Sequence, residues 1–225
     1  MSQVFANRLE AGRALAARLA ATPRSGPVVV LALPRGGVPV AAEVARALNA
    51  PLDLLLVRKI GAPWQPELAV AAVVDGASPE IVYDERTCAL LGVDHAYVQR
   101  RAAEALSEIE RRRRIYLDGR AQLPLAGATV ILVDDGIATG TTVRAALKAL
   151  RRQRPAYIVL AVPVAPSESL AELRGDADEI VCLVQPTPFQ AVGLHYRDFH
   201  QVGDDEVVKA LQAAARPQRA GTPPL

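Results

Sequence analysis

The chain has 225 residues, 51% of them hydrophobic and 22% charged, with a formal net charge of +2. This length and composition suit a globular protein that buries its core without disulfides, and the small net charge gives no support to wholesale nucleic-acid binding. Cys88 and Cys182 lack metal-site spacing, and no uncharged apolar run reaches the roughly 18 residues of a membrane span. We therefore expect a cytoplasmic protein with reduced cysteines and no signal peptide.

Apolar periodicity predicts helices and strands that alternate along most of the chain. The predicted helices cover residues 4–21, 38–48, 94–120, 141–152, 167–173 and 204–215, and the predicted strands cover 28–33, 52–57, 68–74, 81–83, 130–133, 157–164 and 179–183. In the first helix the pattern directs Leu9 inward and Arg8 outward. The alternation indicates an α/β fold with a Rossmann-like open parallel sheet and helices on both faces. We expect one domain over residues 1–215 and a flexible tail over 216–225.

The segment with the clearest chemistry is residues 130–142, VILVDDGIATGTT. A predicted buried strand runs into two adjacent carboxylates, Asp134 and Asp135, and a loop of small and hydroxylated residues then opens a helix. Free N–H groups at a helix start, the helix dipole and threonine hydroxyls together favour an anion. The carboxylates suit sugar hydroxyls or Mg²⁺, which prefers oxygen ligands. The segment therefore predicts a site for a sugar phosphate.

Two more segments follow predicted strands. Arg35-Gly36-Gly37 comes after the first core strand, where glycines allow close backbone approach to an anion and arginine can bridge phosphate oxygens. Arg58 and Lys59 come after the second. Because ligands gather at the carboxyl ends of the strands in an open parallel sheet, we expect these segments and residues 134–142 to converge on one crevice. Taken alone, the glycines could equally form a tight turn, and the basic pair could be solvent-exposed.

Residues 130–142 resemble the motif with which type I phosphoribosyltransferases bind 5-phosphoribosyl-1-pyrophosphate (PRPP). That motif has four hydrophobic residues, two acids, two apolar positions and a loop of small residues and threonines. The Arg35-Gly36-Gly37 turn resembles the pyrophosphate loop of the same family, and the whole chain is similar to its small bacterial members of unassigned acceptor. The resemblance implies Mg²⁺-dependent transfer of ribose 5-phosphate from PRPP to a nucleobase-like acceptor, with release of pyrophosphate.

The resemblance also implies roles for individual residues. Asp134 and Asp135 would fix the ribose hydroxyls and hold Mg²⁺ through water, while Arg58 and Lys59 would stabilise the departing pyrophosphate. The implied PRPP-binding residues are Arg35, Gly36, Gly37, Asp134, Asp135, Gly136, Ile137, Ala138, Thr139, Gly140, Thr141 and Thr142. The family often has a non-proline cis peptide in the turn, which we expect in the region of the Arg35–Gly36 bond.

Family members cover the site with a hood and a flap. We expect the hood from residues 1–22 and 185–205, with Phe189, Tyr196 or Phe199 against the acceptor ring. Residues 60–80, with a loop at 60–67, would form a flexible flap that excludes water from a readily hydrolysed sugar cation. The implied partners are PRPP and a small heterocyclic acceptor. We further expect a homo-oligomer, taken as a dimer, and neither a membrane nor a nucleic-acid partner.

The acceptor and the general base stay open. Hypoxanthine- and guanine-type members carry an acid at the position of Ala138, and they carry a lysine near the end of the strand predicted at 157–164, where this chain has none. Both departures disfavour a 6-oxopurine, and Glu67 is one alternative base. The alternative function is a non-catalytic PRPP- or nucleotide-sensing regulator of the same fold. Its only support is the arginine run 111–114, which a solvated helix face or subunit contact explains more simply.

Overall fold

Five parallel strands form the central sheet. The computed structural model describes residues 4–76, 79–117 and 119–215, so the tail expected at 216–225 lies outside the described residues. The helices are α1 (Arg8–Ala20), α2 (Gly37–Leu48), α3 (Glu85–Leu91), α4 (His95–Leu117), α5 (Thr141–Arg152), α6 (Ser167–Leu173) and α7 (Asp204–Ala215), with a 3₁₀ turn at Val192–His195. The strands are β1 (Val28–Ala32), β2 (Leu52–Leu54), β3 (Val57–Ala62), β4 (Gln65–Val74), β5 (Glu80–Tyr83), β6 (Thr129–Val133), β7 (Tyr157–Val164) and β8 (Glu179–Val184). The central order is β2–β1–β6–β7–β8, all parallel, which confirms the predicted fold class.

Helices cover both faces of the central sheet. Ile131 and Val133 of β6 join a core formed with α1, α2, α4 and α7. Val130 and Leu132 join the opposite core, formed with α5 and α6. All four side chains are fully buried. A parallel strand that is buried on both faces must be apolar at every position, which is why the run VILV marks β6 in the sequence.

A second sheet replaces the loop predicted at 60–67. Strands β3, β4 and β5 pair antiparallel in that order, and only Pro63 and Trp64 form the turn of the first hairpin. The loop prediction was wrong because prolines and a glycine in this stretch resemble strand breakers, whereas an irregular hairpin tolerates them; the β3–β4 register shifts on either side of Gly61. The predicted hairpin between 68–74 and 81–83 is confirmed by the β4–β5 pairing, although Ala77 and Ser78 lie outside the described residues.

Helix α1 begins at Arg8, four residues later than predicted. Asn7 caps the helix, and its side chain accepts a hydrogen bond from the backbone N–H of Glu10 at 3.0 Å. Two predicted orientations are also reversed: Arg8 is only 7% exposed, whereas Leu9 is 44% exposed. The first helical turn faces another segment of the chain rather than solvent, so its buried side is not read from the periodicity of the helix alone.

The remaining helices differ little from the predictions. Helices α5, α6 and α7 have the predicted bounds, and α4 covers most of 94–120. The seven-residue α3 was not predicted, because so short a helix shows little periodicity. Among the described residues, no helix has both the length and the apolar character needed to cross a membrane.

Candidate functional site

The loops after β1 and β6 lie side by side. These two strands are neighbours in the sheet, and the backbone N–H of Leu33 extends their pairing by donating to Val133 O at 2.9 Å. A Cβ on Gly36 would overlap the carboxylate of Asp135, and a Cβ on Gly37 would lie 2.8 Å from Val133 O. Only glycines therefore allow the turn at 34–37 to approach the acidic pair this closely.

The turn contains a non-proline cis peptide in the predicted region. The cis bond joins Pro34 to Arg35 rather than Arg35 to Gly36. Gly36 itself has φ −59° and ψ −36°, which any residue can adopt. What requires glycine at this position is the contact with Asp135, and not an unusual backbone angle.

Asp134 and Asp135 form a half-buried pair at the end of β6. Asp134 Oδ1 accepts a hydrogen bond from the backbone N–H of Asp135 at 2.9 Å. Burial raises the pKa of Asp134 well above its usual value, and the adjacent charge of Asp135 raises it further. Burial also raises the pKa of Asp135, against the lowering effect of the Arg8 guanidinium. Burial therefore disfavours the charged form of the pair, and a cation or hydroxyl donors beside the carboxylates would stabilise that form.

Arg8 is a site residue that the sequence analysis missed. Its Nε donates to Asp135 Oδ2 at 2.7 Å, and its Nη1 donates to His200 O at 2.8 Å. Its guanidinium carbon also lies 3.8 Å from the ring centroid of Phe199, within the range of a cation–π contact. The signal that could have found it is Asn7, a strong N-cap residue, which places Arg8 in the first helical turn.

The hood predicted at 1–22 and 185–205 has its two parts in contact. Phe5 and Tyr196 form an isolated parallel β-bridge, and the backbone N–H of Phe5 donates to His195 O at 2.9 Å. The hydroxyl of Tyr196 donates to the backbone oxygen of Asp135. Val192 lies against Gly136, where a Cβ would be 2.5 Å from its Cγ1. The hood thus packs directly on the acidic motif.

The hood aromatics contact other hood residues. Tyr196 is 5% exposed, which contradicts its expected role as a stacking surface for the acceptor. The Arg8 guanidinium carbon lies 3.8 Å from the ring centroid of Phe199 and 6.0 Å from that of Tyr196, and the two rings stack with their centroids 5.1 Å apart. Phe189 stacks on His195 at 5.9 Å. These contacts explain the aromatic content of this segment through packing within the hood.

The loop at 138–142 leads into α5 with its backbone donors unused by the helix. Ser169 Oγ donates to Ala138 O at 2.6 Å, while Ala138 and Thr139 are exposed. Gly140 has φ +74° and immediately precedes the helix. The N–H groups of a first helical turn have no intrahelical acceptor, so this loop can hold an anion.

Of the predicted basic residues, Arg35 lies at the glycine turn, whereas Arg58 and Lys59 lie in the second sheet. Arg35 lies at the turn, with Nη1 3.5 Å from Asp204 Oδ1 of α7. Arg58 and Lys59 are exposed in β3, opposite Val73 and Ala72, and so do not end a strand of the parallel sheet. Their expected position at the carboxyl end of the second parallel strand was therefore wrong, because β2 ends at Leu54 and the chain then enters the second sheet.

The arginine run 111–114 is largely held by internal ion pairs. Arg111 and Arg112 both bind Glu108, at 2.8 Å each, and lower its pKa to about 2. Arg113 lies 2.9 Å from the buried carboxylate of Asp75. These contacts favour the interpretation of the run as part of the fold over a surface for RNA.

A cavity of about 860 Å³ lies beside the motif but does not include it. The cavity runs between α1, α2 and α7, and its lining contains Arg8 and His200 but neither Asp134 nor Asp135. Alanines of α2 and α7 line it together with charged side chains of both helices. The chemistry that the sequence predicts therefore lies at the loops, and the cavity is a separate feature of the helical face.

Three features lie together at the carboxyl ends of parallel strands: a glycine turn, an acidic pair and a hydroxylated loop. This arrangement indicates a protein that binds a sugar phosphate. A family model described as the phosphoribosyl transferase domain matches residues 1–198, and the chain belongs to this family. Two Mycobacterium tuberculosis proteins, named "Putative phosphoribosyl transferase" MT0597 and Rv0571c, are each 46% identical over 214 residues, which is 95% of this chain and 48% of the relative. The chain thus spans about half the length of these curated relatives.

One solved structure is similar over nearly the whole chain. The crystal structure of TT1426 from Thermus thermophilus is 42% identical, with a TM-score of 0.80, and the match covers 95% of this chain and 100% of that one. The similarity extends through the second sheet and the hood as well as the central sheet, since so little of either chain is left unmatched.

Proposed function

We propose that this chain transfers ribose 5-phosphate from PRPP to a small heterocyclic acceptor and releases pyrophosphate. The observation that carries the proposal is the contact between the two motif loops. Gly36 and Gly37 lie directly against Asp135 and Asp134, and the hydroxylated loop follows within the same β6–α5 connection. PRPP carries a phosphate on one side of its ribose and a pyrophosphate on the other, which matches this order of anion site, hydroxyl site and anion site.

Each part of the site then has a role in binding and orientation. The loop at 138–142 would hold the 5-phosphate, and Asp134 and Asp135 would accept hydrogen bonds from the ribose hydroxyls. Arg35 and the backbone of the 34–37 turn would bind pyrophosphate. Binding the phosphates far from the reacting carbon orients that carbon and stabilises the charge that develops on the leaving group.

The donor set fits a magnesium ion that arrives with the substrate. Among the described residues there is no group of three or more acidic, histidine or cysteine side chains that could hold a metal. Mg²⁺ commonly needs only one or two carboxylates beside substrate phosphates and water, and Asp134 and Asp135 supply that number. When bound, the ion would neutralise charge on the pyrophosphate.

The proposed acceptor class depends on two side chains, an acid and a lysine, that hypoxanthine- and guanine-type enzymes have and this site does not. Ala138 supplies no acid or base, and β7 ends at Val164, which Ala165 follows, without a lysine. We propose an acceptor that is already nucleophilic and needs no proton removed by the protein. The side chain of Glu67, the alternative base, lies outside the described residues.

Binding of PRPP tests the donor half of the proposal. Calorimetry with PRPP and Mg²⁺ should give saturable binding that is lost when Asp134→Asn and Asp135→Asn are combined. Glu104→Gln is a matched control, because Glu104 is an exposed carboxylate paired with Arg101 on α4. Wild-type protein that does not bind PRPP would contradict the proposal.

Turnover tests the transfer half. A panel of heterocyclic acceptors is incubated with PRPP and Mg²⁺, and released pyrophosphate is measured. PRPP binding without pyrophosphate release for any acceptor would favour the regulator, and sedimentation in solution would test the proposed dimer. Because the chain spans about half of its curated relatives, the activity proposed here is that of this domain.

A further inference from the structure

Arg8 links the acidic motif to the 195–200 part of the hood through two hydrogen bonds and its contacts with aromatic rings. Its Nε binds Asp135 Oδ2 of the motif, its Nη1 binds the backbone oxygen of His200, and its guanidinium face covers the ring of Phe199. The Arg8 side chain is 8% exposed, and that of Asp135 is 13% exposed. A planar guanidinium with a fixed set of donors can make these contacts at once, which a lysine ammonium on a flexible chain does not reproduce.

Asp135 is held at both its side chain and its backbone. Arg8 binds Oδ2, and the Tyr196 hydroxyl binds the backbone oxygen. Gly36 packs against the same carboxylate from the turn. Among the described residues no other side chain or backbone group donates a hydrogen bond to the second oxygen, Oδ1, and this atom is not fully buried, so it can accept a donor from a ligand. The orientation of this carboxylate is thus set by a residue about 127 positions away in the sequence.

We propose that Arg8 is a positioning residue for the ribose of PRPP. It holds Asp135 by one carboxylate oxygen so that the other accepts a ribose hydroxyl, and it joins the 195–200 part of the hood to the motif. This inference rests on the proposed function, because it concerns the same ribose. Without Arg8, a half-buried carboxylate loses its cation and the backbone oxygen of His200 loses its donor.

Two ligands that differ only in the sugar separate positioning from general structural damage. Ribose 5-phosphate and inorganic phosphate share the phosphate that the loop at 138–142 would bind, and only the first has hydroxyls for Asp135. Dissociation constants for both, and for PRPP, are measured by calorimetry or competition for wild type, Arg8→Met, Arg8→Lys and Arg13→Met. Arg13 is the matched control, since it lies on the same helix, is 65% exposed and pairs with Glu43.

We expect Arg8→Met to weaken ribose 5-phosphate and PRPP by about tenfold or more, as loss of a charge-assisted hydrogen bond predicts. Inorganic phosphate should change by less than about twofold, and Arg13→Met should change none of the three by more than that. Arg8→Lys should give intermediate affinity for the sugar-bearing ligands, because its ammonium keeps the charge but loses the second fixed donor.

Equal weakening of ribose 5-phosphate and inorganic phosphate, or no weakening of either, would overturn the positioning role. If Arg8→Met does not fold, the same ratio measured on Arg8→Lys decides the question. Wild-type protein that binds ribose 5-phosphate and PRPP no better than inorganic phosphate would instead reject the proposed function. The wild-type result and the variant result therefore identify which of the two proposals has failed.

Discussion

Two regions surround the acidic pair: the two loops that would bind the PRPP donor, called the donor loops, and the hood. They differ in how the sequence brings their residues to the site. The donor loops, at 34–37 and 134–142, are each continuous with a buried parallel strand, and Gly36 and Gly37 are required by their contacts with the acidic pair and the end of β6. The hood contacts Asp135 through Arg8 and Tyr196, which lie in segments separated by most of the chain. The comparison shows that one half of the site is built from local motifs, whereas the other half requires the folded chain.

The largest effect is expected from adding a methyl group between the two donor loops. In Gly37→Ala the new Cβ would lie 2.8 Å from Val133 O and 2.9 Å from Asp134 Cα, both backbone atoms that cannot rotate away. We expect a loss of about 1–3 kcal/mol in the free energy of unfolding together with loss of PRPP binding. Denaturant unfolding and calorimetry measure the two.

The exposed Gly175 provides the control, since a Cβ there would meet no atom within 4 Å. Gly175→Ala should leave PRPP binding at the wild-type level. A Gly37→Ala protein of unchanged stability and affinity would show that the two loops are not held in this contact.

A smaller effect is expected from the left-handed glycine before α5. Gly140 has φ +74°, and Gly26, which lies far from the motif in sequence, has φ +77°. An alanine at either position should destabilise the fold by roughly 1–2 kcal/mol, because side chains disfavour this conformation. Only Gly140→Ala should also weaken PRPP, since it alone reshapes the proposed phosphate loop. Equal PRPP affinity in both variants would exclude the loop from phosphate binding.

On the hood side, Tyr196→Phe should have an effect of about 1 kcal/mol. The variant removes the hydroxyl that binds Asp135 O but keeps the ring that packs on Phe5 and Phe199. We expect a small loss of stability and a weaker affinity for PRPP than in wild type. Chemical denaturation and calorimetry would measure them, and a wild-type affinity would mean that the hood does not act through the backbone of Asp135.

The smallest effect is expected away from both halves, at Glu108. Arg111 and Arg112 lower the pKa of Glu108 to about 2, below that of the unfolded chain. The pairing therefore stabilises the fold above about pH 4.5, and this contribution is lost as the pH falls towards 2. Because the pair is partly exposed, we expect Glu108→Gln to lose no more than about 1 kcal/mol at pH 7.

The pH profile of unfolding provides the measurement for Glu108. The stability difference between wild type and Glu108→Gln should shrink between about pH 4.5 and 2, whereas Glu104→Gln, at a single exposed pair, should show a smaller difference throughout. A difference that does not depend on pH would mean that charge is not its cause.

Sequence patterns predicted the central fold and the β4–β5 hairpin, but they missed β3 and the start of β4. The β6–α5 unit and β7 have the predicted positions to within one residue, because continuous apolar runs and helical periodicity are local signals. Residues 57–66 form β3, the turn of the first hairpin and the start of β4, although they contain prolines and a glycine. Their pairing is supported by the packing of apolar side chains into both cores, which no local pattern reports.

The sequence by itself determined the parallel α/β sheet, the acidic pair at the carboxyl end of one of its strands and the two glycine-bearing loops. It could do so because strand burial, helix starts and tight turns are controlled by neighbouring residues. Only the tertiary structure decided that Arg8 is buried against Asp135, that Tyr196 and Phe199 pack within the hood, and that Arg58 and Lys59 lie in a second sheet. Those outcomes depend on contacts between segments far apart in the chain, where local periodicity carries no information.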